Sequence, residues 1–214
     1  MFVKVCCITR VEDALQAVES GASALGFIFW PRSPRYVTAT QVREIVSAVP
    51  AGVATVGVFV DAEADDIRRA AETSGINTVQ LNDASTPDVM ERIGLPVLRA
   101  VTLASSARVI AEWPEDVTLL LDAHDPVRRG GTGMTVDWQQ AADLARRRRL
   151  VLAGGLGPSN IAEAIAIVRP FGVDVCSGVE SAPGVKDGDK VAAFVANARA
   201  AFARGEEAWH APSR

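Results

Sequence analysis

The chain reads as a single-domain (β/α)8 barrel, and three observations predict it. Short apolar runs alternate with amphipathic stretches along the whole length, eight of each. The apolar runs are nearly continuous, as in a parallel sheet whose outer face helices cover. Many helical stretches open near Asp, Ser or Thr and several close on Gly, the residues that satisfy unpaired helix ends. Eight strand–helix repeats are the count of a closed barrel. An open doubly wound sheet usually places a Gly-rich turn after its first strand, and here that turn reads "CCITR".

Taken in order, the predicted strands are "FVKVC", "ALGFIF", "ATVGVFV", "TVQL", "PVLRAV", "VTLLLD", "LVLAGG" and "VDVCSGV". Between them lie the helices "VEDALQAVESG", "ATQVREIVSAV", "EADDIRRAAETSG", "TPDVMERIG", "SSARVIAEW", "VDWQQAADLARRR" and "PSNIAEAIAIV", with "DGDKVAAFVANARAAFARG" after the last strand. In the first strand, alternation sends Val3 and Val5 toward the covering helices and turns Lys4 and Cys6 inward. The barrel is expected over residues 1–205. The tail "GEEAWHAPSR" lacks helical periodicity and is expected to fray over 206–214.

Composition narrows the function. A formal net charge of −4 over 214 residues provides no field for nucleic acid or an acidic membrane surface. No apolar run approaches the ~20 residues of a membrane span, and with the first strand directly after Met1 no signal peptide is expected. Three cysteines, two of them adjacent, make neither a disulfide framework nor a Cys-x-x-Cys zinc site, and His124 and His210 are the only histidines. The expectation is a cytoplasmic protein, monomer or homodimer, that uses no cofactor or metal.

Barrel chemistry sits at the C-terminal ends of strands and in the loops that follow. Those positions hold Cys6, the "PRSPRY" loop with Arg35, Asn82 and Asp83, Asp122, "AGGLGPSN" and "SGVESAPG". Gly154, Gly155, Ser177 and Gly178 offer backbone N–H groups ahead of a helix start, which suits a phosphate. Asp122 closes the apolar run "LLL", surroundings that favour a protonated general acid; Asp125 is a rival. Arg35 has the fork to clasp a carboxylate.

These motifs together resemble the phosphoribosylanthranilate isomerases of tryptophan biosynthesis. The similarity runs through "VKVCCIT", "ALGFIFWPRSPRYV", "TVQL", "LLLDA", "GGTG", "VDW", "AGGLGPSN" and "VDVCSGVESAPGVKD", over about residues 3 to 200. The resemblance implies a (β/α)8 barrel and an Amadori rearrangement of N-(5-phosphoribosyl)anthranilate by general acid–base catalysis. It assigns the base to Cys6, the acid to Asp122, the anthranilate carboxylate to Arg35 and the phosphate to Gly154, Gly155, Ser177 and Gly178. Asp174 helps from inside the barrel. The related isomerase of histidine biosynthesis usually carries an aspartate where Cys6 stands. A non-catalytic phosphate-binding paralogue would have no reason to retain Cys6, Arg35 and Asp122 together.

Three departures from the family pattern stand out: Cys7 for glycine, "QLND" for "QLHG", and Met134 for a long polar residue. Glycine at position 7 implies either a positive φ or close approach of another group, and the adjacency of Cys6 and Cys7 admits a vicinal disulfide. Close approach beside the base is the expectation.

Overall fold

The computed structural model of the chain describes residues 1–82, 85–122 and 137–210. Eight parallel strands close a barrel in sequence order: β1 (Phe2–Val5), β2 (Ala24–Ile28), β3 (Ala54–Phe59), β4 (Thr78–Leu81), β5 (Val97–Val101), β6 (Thr118–Leu121), β7 (Leu150–Leu152) and β8 (Gly172–Val175). Helices follow them: α1 (Val11–Glu19), α2 (Ala39–Ala48), α3 (Ala64–Ser74), α4 (Val89–Ile93), α5 (Leu103–Glu112), α6 (Trp138–Ala145), α7 (Ile161–Val168) and α8 (Gly188–His210). Among the described residues no helix is long and apolar enough to cross a membrane.

Alternation along the strands sorts the side chains into two layers. Val3, Val5, Leu25, Phe27, Leu119, Leu121, Leu150, Leu152, Val173 and Val175 point outward and pack with the helices. Their neighbours point in. Ala24, Val56 and Leu98 form one interior cluster, and Leu120, Val151 and Ala153 another. Phe2 packs against both. Barrel closure pairs Lys4 with Asp174 across the β1–β8 seam.

Local chemistry sets the helix ends. Thr38 and Gln41 form a reciprocal capping box at α2, as Thr102 and Ser105 do at α5. At α6 the Asp137 side chain accepts from the Gln139 and Gln140 N–H groups.

Two expected strands end early. β7 stops at Leu152, because Gly154 and Gly155 both take positive φ. β8 stops at Val175, and a short 3-10 turn (Ser177–Val179) leads into a hairpin of β9 (Glu180–Ala182) and β10 (Val185–Lys186). At the other end, the helical backbone of α8 runs to His210.

Candidate active site

The site grows from strand ends around one cavity of about 450 Å³. Cys6 N–H donates to the Val175 carbonyl at 2.8 Å, which continues the β1–β8 pairing one residue past β1. The thiol turns inward as alternation predicts and clusters with Val58 at the mouth. Gly26 on β2 makes the room. A Cβ there would lie 2.6 Å from Cys6 Sγ and 3.0 Å from Lys4 Cε.

Below the thiol, Lys4 is 0 % exposed. Its ammonium donates to Asp174 Oδ1 at 3.0 Å, and its stem lies beside the Cys6 sulfur across Gly26. Burial disfavours the charged ammonium, but Asp174 and Cys6 outweigh it and hold Lys4 above the usual lysine range. Burial also pushes the Cys6 thiol up, and Lys4, the strongest opposing influence, does not overcome it.

Asp122 follows β6 directly, half-buried, with its N–H bonded to Val101 O at 3.0 Å, and its side chain lines the cavity. Asp125, Met134 and Asp83 lie outside the described residues.

Arg35 enters from the loop after β2, which folds back through Val37 N–H to Ile28 O at 3.0 Å. Its guanidinium is gripped by Glu180, with Nε 2.9 Å from Oε1 and Nη2 2.6 Å from Oε2. Glu180 Oε1 accepts from Lys186 Nζ and from Gly184 N–H, each at 3.2 Å. Burial alone would raise the Glu180 carboxyl, yet Arg35 and Lys186 together hold it below the usual carboxylate range. Burial pulls the Lys186 ammonium down. Arg32, in the same loop as Arg35, also lines the cavity.

Cys7 has φ 66, a left-handed backbone, and forms a disulfide with Cys176 with Cα atoms 5.8 Å apart. Cys6 remains free and buried, so the vicinal pair does not form. The close approach expected at position 7 is replaced by the other alternative, positive φ.

The cavity thus joins Cys6, Asp122, Arg35 and Asp174. Gly154, Gly155, Ser177 and Gly178 do not line it; they occupy the loops after β7 and β8 at the same end of the barrel. Those two loops touch, since a Cβ on Gly178 would drive into the Leu156 carbonyl. Asn160 braces the first of them, accepting from Gly157 N–H and donating to Gly155 O, both at 2.9 Å.

Sequence reasoning missed Lys4, Glu180 and Lys186. Charges inside a strand and in a Gly-rich loop at the barrel mouth were the available signal. Gln80 also escaped it. Its Nε2 donates to Asn82 Oδ1 at 2.9 Å, and both residues line the cavity. Among the described residues no group of three or more His, Cys, Asp and Glu is placed to hold a metal ion.

The family model described as N-(5'phosphoribosyl)anthranilate (PRA) isomerase matches residues 3–197. A relative from Geobacter sp. (strain M21), an N-(5'-phosphoribosyl)anthranilate isomerase, is 45% identical over 92% of this chain and 97% of its own. The crystal structure of phosphoribosyl anthranilate isomerase from Thermotoga maritima superposes with a TM-score of 0.86 at 40% identity, covering 94% of this chain and 99% of that one. Another, in complex with reduced 1-(o-carboxyphenylamino)-1-deoxyribulose 5-phosphate, gives 0.83 at 38% identity over 94% and 99%. A closed eight-stranded barrel, a thiol and a carboxylate at its mouth, and a match across nearly the whole chain meet in one conclusion: the chain belongs to the phosphoribosylanthranilate isomerase family.

Proposed function

We infer that Cys6 and Asp122 are the base and acid of the aldose–ketose isomerisation that this chain catalyses, the Amadori rearrangement of N-(5-phosphoribosyl)anthranilate. The observation that carries this is their convergence, from the ends of β1 and β6, on one cavity shared with Arg35. Asp122 gives a proton to the furanose ring oxygen, and the sugar opens to a Schiff base. Cys6 as thiolate then takes the proton from C2, and the resulting enolamine tautomerises to the ketone. Arg35 receives the anthranilate carboxylate. Its Nε and Nη2 serve Glu180, leaving Nη1, which has no hydrogen bond among the described residues. Gly154, Gly155, Ser177 and Gly178 take the phosphate through backbone N–H groups. Asp174 acts from beneath, on Lys4.

The test is turnover of the anthranilate substrate, followed by fluorescence. Cys6→Ala and Asp122→Asn should each lower kcat by about 10²–10⁴-fold, the worth of a positioned base or acid, with KM changed far less. Near-normal turnover in either variant would overturn that residue's assignment.

A further inference from the structure

We propose that Lys4 is a positioning residue for this reaction: its ammonium, clamped by Asp174 and seated beside Cys6 over Gly26, holds the Cys6 sulfur ready as the base. The inference rests on the assignment of Cys6 above and adds the group that most offsets the cost of ionising its thiol.

A fully buried lysine is expensive unless paired, so its partners reveal its task. Two groups face Lys4: Asp174, bonded at 3.0 Å, and the Cys6 sulfur across Gly26. Asp174 alone would satisfy a filler pair in the barrel interior. The second is the one group in the site whose function needs a negative charge. Position follows from the strand: residues 4 and 6 share the inward face of β1, and Gly26 leaves no Cβ between the lysine stem and the sulfur.

Charge arithmetic points the same way. With Cys6 as a thiol, the Lys4–Asp174 pair is neutral; ionising Cys6 adds one negative charge in a buried place. Asp174 from β8 opposes that charge, while Lys4 from β1 and, more weakly, Lys186 from β10 favour it. Asp122 and Arg35 line the same cavity from β6 and the loop after β2, and Glu180 from β9 faces Arg35 and Lys186. Among the described residues Lys4 is the cation with the largest favourable effect on the thiol.

The experiment is the pH dependence of iodoacetamide labelling at Cys6, read by mass spectrometry with the Cys7–Cys176 bridge intact. Cys6 is then the free cysteine of the chain. An opposite charge within ~4–6 Å moves a titration by about 1–3 pH units. Lys4→Met should therefore shift the labelling midpoint upward and slow labelling at neutral pH about tenfold or more. Turnover should fall in parallel, with KM within about twofold. A labelling profile unchanged from wild type overturns the proposal, whatever happens to kcat. Should Lys4→Met fail to fold because Asp174 is left buried and unpaired, the Lys4→Met/Asp174→Asn double variant removes both charges. A smaller upward shift is expected from it, because losing the opposing Asp174 charge offsets part of the loss of Lys4. Cys6→Ala separates the two readings: full activity there removes Cys6 as base, whereas an inactive Cys6→Ala beside an unmoved Lys4→Met profile removes only the role of Lys4.

Discussion

Glu180 holds Arg35 by both oxygens of its carboxylate, which fixes the guanidinium at the cavity wall. Glu180 lies on β9, just beyond the 3-10 turn that follows β8, while Arg35 stands on the loop after β2. The pair links the loops that follow β2 and β8, the two strands that flank β1.

If Arg35 receives the anthranilate carboxylate as proposed, Arg35→Met removes a charged hydrogen-bonding partner worth about 1.5–3 kcal/mol. KM should rise about 10–100-fold, while a carboxylate-free analogue is turned over with its KM unchanged. Equal losses on both substrates would place Arg35 in a purely structural role with Glu180.

Glu180→Gln tests the clamp through stability against pH. In the folded chain Arg35 and Lys186 hold the Glu180 carboxyl below its ordinary range. A depressed carboxyl contributes stability above its unfolded titration range and loses it as pH falls through the folded value. Thermal melts should show wild type more stable than Glu180→Gln at neutral pH, with the gap closing as the solution is acidified below the usual carboxylate range. A gap that does not narrow in acid would contradict the clamp.

Gly26→Ala is a chemical change made by steric means. The added methyl would lie 2.6 Å from Cys6 Sγ, nearer than any contact an unshifted sulfur tolerates. The sulfur is forced aside, and with Cys6 as the base kcat should drop by about 10²-fold, the cost of ~1 Å of misplacement. The three atoms nearest the added methyl belong to Cys6 and Lys4, so KM should stay close to wild type. A variant with normal kcat would show that the thiol moves without consequence.

Cys7→Gly should change sign with redox state. Glycine relieves the positive φ, worth about 1–2 kcal/mol, but it also removes the bridge to Cys176. Removing a disulfide commonly costs about 2–5 kcal/mol. Under oxidising conditions the variant should therefore melt below wild type, and with reductant present above it. Cys176→Ser, which loses the bridge and keeps the strained backbone, should melt below wild type only under oxidising conditions. Identical melting of wild type and Cys7→Gly in both solvents would make the position inert.

Much of this was legible in the chain. The order of strands follows from apolar runs separated by capped helices, and the inward face of Cys6 follows from the outward face of Val3 and Val5. Residues whose roles depend on barrel closure were not. Lys4 reads locally as a polar residue on a strand, and only the pairing of β1 with β8 sets Asp174 against it. "VESAPGVK" reads as a turn because Pro183 and Gly184 dominate it, yet its hairpin carries Glu180 and Lys186 back over the mouth. Adjacent cysteines suggest one another as partners, and the true partner of Cys7 is 169 residues away.

That bridge has a topological effect. Joined at residues 7 and 176, the intervening chain is a covalent ring that begins just past β1 and ends just past β8, at the seam where the barrel's first and last strands meet. A single proteolytic cut anywhere within the ring opens the chain but frees no fragment. Nicked protein should run as one species on a denaturing gel without reductant and as two once the bridge is reduced. The seam where a barrel can part without breaking the backbone is, in this chain, fastened.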